Sequence, residues 1–171
     1  MDFSKAGLRK LIRDYREIGY TFADFAKSNP LEPAQVFLRH DVDVDLELAL
    51  EMATEERECN VGATFFILVS SNLYNYRSAR NSRIIREIAA IGHSVGLHFD
   101  PTSGSIDRIG ANFVSEVSAL EDLLGEQIRS FSYHKPSTYG LPDLGRAHSL
   151  VDVYSQKYFN CLLYTSDAAD E

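Results

Sequence analysis

The run FLRHDVDVD, from Phe37 to Asp45, ends an apolar lead in one histidine and three aspartates set two residues apart. In an extended chain alternate side chains point the same way, so Asp41, Asp43 and Asp45 would crowd like charges on one side. Either a positive group offsets that repulsion or the run bends into a loop. Two further runs carry related chemistry. SVGLHFD ends in His98 and Asp100, and SYHKPS brings Tyr133, His134 and Lys135. With His40, Asp41 and Asp43, these place three of the five histidines and three acids at the ends of expected strands. Aspartate and imidazole drawn from separate strands suit a divalent ion such as zinc. Such a cation would relieve the crowding of Asp41 and Asp43.

Each residue has a plainer reading to set beside that one. Asp45 stands just before Leu46, at the start of a helical pattern, and is expected to cap that helix rather than bind an ion. Asp43 alone would serve equally well as a turn residue. His93 follows Gly92 in a helix-to-strand turn, where a structural role is expected. His148 falls in a polar loop and carries no signal. His98 is placed where sites form, at the end of a strand. His134 is balanced between ligand and loop residue, and Lys135 reads as a solvated loop charge. Cys59 ends a helix and is expected to be buried packing.

Elements of two periods position these residues. Leu8, Leu11, Ile12, Tyr15 and Ile18 predict an opening amphipathic helix, broken by NPLEP from Asn29 to Pro33. QVFLR (Gln35 to Arg39) reads as a short strand. Leu46, Ala49, Leu50 and Ala53 mark a helix that Asn60 could end in a left-handed turn. ATFFILV (Ala63 to Val69) reads as a strand buried on both faces. Ile84, Ile85, Ile88 and Ile91 give the next helix, closed by Gly92, and SVGLHF (Ser94 to Phe99) the next strand. Ile109, Phe113, Val117, Leu120 and Leu124 form the clearest helix, with Gly125 to stop it. RSFSYH (Arg129 to His134) and VDVYS (Val151 to Ser155) complete the strands. This alternation predicts an α/β fold with parallel strands and crossover helices. A closed barrel of that kind needs about 250 residues, so 171 residues predict only part of one. Sites in such folds gather at the carboxyl ends of the strands, where the aspartates and histidines fall.

Composition narrows the partners. The chain is 44% hydrophobic and 25% charged, as expected of a globular domain. A net charge of -8 argues against nucleic acid, which favours a basic surface. No apolar run is long enough to span a bilayer. The start MDFSKAGLRK lacks the layout of a secretory leader, so the cytoplasm is the expected compartment. Two cysteines, Cys59 and Cys161, imply no disulfide framework. The last eleven residues, CLLYTSDAADE (Cys161 to Glu171), read like a translated sequencing adapter. On that reading 161–171 is a non-native tail and the chain is the front part of a longer protein.

RHDVD, ATFFILV, GHSVGLHFD and SFSYHKPS occur in the order of the polysaccharide deacetylase superfamily, the NodB-homology or carbohydrate esterase family four group. The chain most resembles the HDVD branch, found near bacterial surface-polysaccharide genes, and the likeness runs from Val36 to Asn160. The resemblance implies a distorted seven-stranded (β/α) barrel, incomplete over 35–160 and preceded by a helical lead-in over 1–34. It also implies metal-dependent hydrolysis of N-acetyl or O-acetyl groups on sugars or surface polysaccharide precursors, with zinc as the expected ion. On this likeness Asp41 is the general base, and Asp43 and His98 are metal ligands. The family's second ligating histidine would stand where this chain has Thr102, so His134 or Asp100 would have to replace it. His134 lies where the family has an arginine-containing motif. His40, Asp100 and Lys135 are candidates for contact with substrate or for support of the ligands. The family's late histidine acid would lie beyond Asn160. Two other readings stay open: a catalytically silent carbohydrate-binding or scaffold domain of the same fold, and a metal hydrolase acting on another amide or ester.

Overall fold

The computed structural model describes residues 4–25, 27–29, 32–136, 144–155 and 158. The chain opens with α1 (Lys5–Glu17), capped by Ser4, whose Oγ accepts from the Gly7 N–H at 3.1 Å. The strands β1 (Thr21–Ala23) and β2 (Gln35–Phe37) pair in parallel as a two-stranded sheet. Next come β3 (Arg39–Val42), α2 (Leu46–Glu58), β4 (Thr64–Leu68), α3 (Ala79–Ala90), β5 (Ser94–Phe99), α4 (Ile109–Leu124), β6 (Ser130–Tyr133), α5 (Leu144–His148) and β7 (Val151–Asp152). A single 3₁₀ turn, Ile106–Arg108, leads into α4. The second sheet has the order β3-β4-β5-β6-β7, every neighbouring pair parallel. Successive strands joined through helices give this order, the arrangement the alternating pattern predicts.

The helix ends follow local chemistry. Asp45 caps α2, its Oδ1 accepting from the N–H groups of Glu47 and Leu48 at 2.8 and 3.3 Å. Gly125 ends α4 in the left-handed region at φ 74°, and Asn60 follows α2 at φ 54°. Two expectations need correction. QVFLR is not one strand: the chain changes sheets at Leu38, so β2 pairs with β1 and β3 with β4. The strand that carries the aspartates therefore begins at Arg39 and includes His40 and Asp41. His148 ends α5 rather than lying in a loop, its ring 5.4 Å from that of Phe113. The tail from Cys161 to Glu171 and its boundary at Asn160 lie outside the described residues.

Alternation along the strands divides the core. Phe65, Ile67, Leu97, Phe99, Phe131 and Tyr133 face the helices and pack with Ile84, Ile85, Ile88, Phe113 and Leu120. Phe66 and Val153 face the other way and pack with Phe25 and Tyr158. The second face is concave, because Arg39 on β3 reaches Tyr154 just past β7. Its guanidinium sits 4.6 Å from the ring centroid, and Nη2 donates to the hydroxyl at 2.8 Å. Among the described residues β3 and β7 are the sheet's two edges. Ion pairs join α1 to α2, from Lys5 to Glu51 and Glu55 and from Arg9 to Glu55 and Glu58. No helix of the described residues is long and apolar enough to cross a membrane.

Candidate metal centre

On the concave face, parallel register sets His98 of β5 beside Ser132 of β6. Period two then continues each strand's polar set toward its carboxyl end. Asp43 follows Asp41 on that side, and His134 follows Ser132. Three of these side chains converge. His98 Nε2 lies 3.3 Å from Asp43 Oδ1 and 3.1 Å from His134 Nδ1, and His134 Nδ1 lies 3.3 Å from Asp43 Oδ1. Among the described residues no other three His, Cys, Asp or Glu side chains meet in this way.

The donor set fits a cation. Asp43 Oδ1 is buried and has no hydrogen-bond partner, which is costly for a charged oxygen. One proton shared between the two imidazoles would satisfy both nitrogens and leave that oxygen unmatched. A divalent ion would satisfy all three atoms. One carboxylate and two imidazoles with a fourth position free are a ligand set that catalytic zinc accepts. Burial lowers the His98 pKa, against the pull of Asp41 and Asp43. That favours the neutral ring that a metal ligand needs.

Asp41 stands beside this group with both oxygens engaged. Oδ1 accepts from Ser132 Oγ at 3.2 Å and Oδ2 from Arg39 Nη2 at 2.5 Å. Burial opposes the charge of Arg39, but the bonds to Asp41 and Tyr154 more than offset it, and its pKa is raised. The loop after β4 fixes the backbone of the Asp43 turn. Tyr74 donates its hydroxyl to the Val42 carbonyl at 2.6 Å, and Ser71 donates to the Asp43 carbonyl at 3.2 Å.

The remaining candidates stand apart. His40 alternates onto the helix-facing side, where its Nε2 lies 2.7 Å from Oε1 of the fully buried Glu56. Its expected place on the rim with Asp41 and Asp43 is therefore corrected. Asp100 turns back on its own loop, with Oδ1 accepting from the Thr102 N–H and hydroxyl at 2.8 and 2.7 Å. Thr102 thus spends its hydroxyl on Asp100. Lys135 is exposed, in the left-handed region at φ 53°. His93 is held in the core between the Ala63 N–H (3.1 Å) and the Ala53 carbonyl (2.9 Å). Cys59 is half-buried at the end of α2.

Sequence reading missed Arg39, Ser132, Tyr154 and Glu56. Three of these carried a signal. Ser130, Ser132 and His134 alternate in one strand, Arg39 precedes Asp41 by two, and Glu56 continues the apolar stripe of Ala49 and Ala53. Tyr154 carried none, because its partner lies 115 residues away.

No family model and no curated protein sequence matches the chain. Solved structures do. IcaB from Ammonifex degensii superposes with a TM-score of 0.67 at 18% identity, over 86% of this chain and 73% of that one. The Streptococcus pyogenes deacetylase PplD, solved in complex with acetate, gives 0.62 at 17% identity, over 84% of this chain and 66% of that one. Identities this low speak to fold, and function must be argued from the site. The parallel sheet, its crossover helices and these superpositions together show that the chain shares the fold of IcaB and PplD.

Proposed function

We propose that the chain carries the metal-binding half-site of a hydrolase that removes acetyl groups from amino sugars or surface polysaccharide precursors. The observation that supports this most is the convergence of Asp43 Oδ1, His98 Nε2 and His134 Nδ1 beside the tethered carboxylate of Asp41. Asp43, His98 and His134 would hold the ion, with zinc the candidate the donor set favours. His134 then takes the part left open by Thr102. A divalent ion held there would polarise an acyl carbonyl and lower the pKa of a water to about 7.

The chain's own groups do the rest. Asp41 takes the proton of the water that attacks the acetyl carbonyl, acting as general base. Ser132 and Arg39 hold its two oxygens, so the carboxylate stays where the water must lie. The leaving amine or alcohol gains a proton as it departs, balanced by the one that Asp41 has taken up, so one water is consumed for each acetate released.

Zinc affinity measured by chelator competition, and acetate release from N-acetylated and O-acetylated sugar oligomers, test the reading together. The expected result is one zinc per chain, lost on Asp43→Ala, and acetate release that depends on it. Zinc bound without acetate release would favour a silent carbohydrate-binding domain. Turnover of a non-sugar amide or ester alone would favour a different hydrolase.

A further inference from the structure

Asp43, His98 and Ser132 form a continuous polar chain, with 3.3 Å between Asp43 Oδ1 and His98 Nε2 and 2.6 Å between His98 Nδ1 and Ser132 Oγ. A carboxylate, an imidazole and a serine in line also occur in acyl-transfer enzymes, where the serine attacks the substrate. Burial decides against that role here. Ser132 is 0% exposed, between the buried Phe131 and Tyr133 on a central strand of the sheet. Its Oγ is covered by the His98 ring and the Asp41 carboxylate, and an acyl carbon would have to displace them to reach it.

What Ser132 touches suggests another role. A serine has one proton to give, and Ser132 gives it to Asp41 Oδ1 at 3.2 Å. Its oxygen is then the acceptor for His98, so the proton of the neutral ring sits on Nδ1. Nε2 is left with its lone pair, aimed where Asp43 Oδ1 and His134 Nδ1 converge. We propose that Ser132 is a positioning residue: its hydroxyl selects the ligating tautomer of His98 and ties that ring to Asp41. The inference rests on the cation-binding reading above. A partner on the far nitrogen of a ligating histidine fixes both tautomer and ring orientation. Here the same hydroxyl also anchors the base, so one atom sets the spacing between ligand and base. Without it, His98 would be free to exchange tautomers and Asp41 would keep only the Arg39 anchor.

The test compares the 171-residue chain with Ser132→Ala. Nitrogen-15 NMR of the histidine rings, free of metal at about pH 8 where imidazoles are neutral, reads the position of the His98 proton. It is expected on Nδ1 in the parent and mixed or on Nε2 in the variant. Zinc affinity by chelator competition is expected to fall roughly 10- to 100-fold in the variant. A parent with its His98 proton on Nε2 overturns the proposal whether or not the variant folds. So does a variant with the parental tautomer and zinc affinity, or covalent labelling of Ser132 by a fluorophosphonate. If the parent binds no zinc, the cation reading fails, while the ring-proton measurement still decides the part played by Ser132.

Discussion

Asp41 and Asp43 stand two residues apart on one side of the chain, yet they meet different chemistry. Asp43 points an unpartnered oxygen at two imidazoles, whereas both Asp41 oxygens are held by neutral or cationic donors. The two aspartates should therefore fail differently. Asp41→Asn is expected to cut acetate release by about 10²- to 10⁴-fold with zinc affinity unchanged. His134→Ala should lose zinc affinity and turnover together. Paired chelator-competition and acetate assays check this. Loss of zinc in Asp41→Asn would move Asp41 into the ligand set and leave the reaction without its proposed base.

At the scale of elements, the site depends on how abruptly β3 gives way to α2. Asp43 must leave the strand, and Asp45 must start the helix, within three residues. The cap on the Glu47 and Leu48 N–H groups performs that switch. Asp45→Ala is expected to cost about 1 kcal/mol of stability, read as a lower urea midpoint with an unchanged slope. The loop after β4 supports the same turn from the other side through Ser71 and Tyr74. Burial pushes the Tyr74 phenol well above its ordinary pKa, so the hydroxyl keeps the proton it donates to Val42. Parallel register does the remaining work, since a one-residue slip of β6 would turn Ser132 and His134 onto the helix side.

Across the whole molecule, the helix layer covers one face of the sheet, and polar groups trapped there report on its packing. Glu116 on α4 is one such group. Burial, with Asp100 adding to it and the hydroxyls of Ser70 and Ser103 opposing it, pushes its carboxyl up to about 7. The folded state therefore keeps a proton that the unfolded chain releases near 4.5. Stability from this group is complete below the unfolded value and is lost as pH rises through about 7. Glu116→Gln should remove that slope and leave the variant more stable than the parent at pH 8, by about 3 kcal/mol at most. Urea unfolding at pH 5 and pH 8 reads the difference, and equal pH slopes in the two proteins would sink the assignment.

Much of this was legible in one dimension. The 3.6-residue period placed α2, α3 and α4, because amphipathic helices write their burial into local spacing, and the short apolar runs between them placed β4 to β6. Local chemistry likewise marked Asp45 as a cap and Gly125 as a stop. Strand ends rich in Asp and His singled out Asp41, Asp43, His98 and His134, since parallel α/β folds gather polar groups there. Other features needed the third dimension. The break at Leu38 depends on which strand each half pairs with, a choice between β1 and β4 that no local pattern records. The direction of His40 depends on where the strand begins, and one residue of error reverses its face. The meeting of Asp43 with His134, the shared hydroxyl of Ser132 and the contact of Arg39 with Tyr154 all join residues that are far apart in the chain. Only the register and curvature of the sheet bring them within bonding distance.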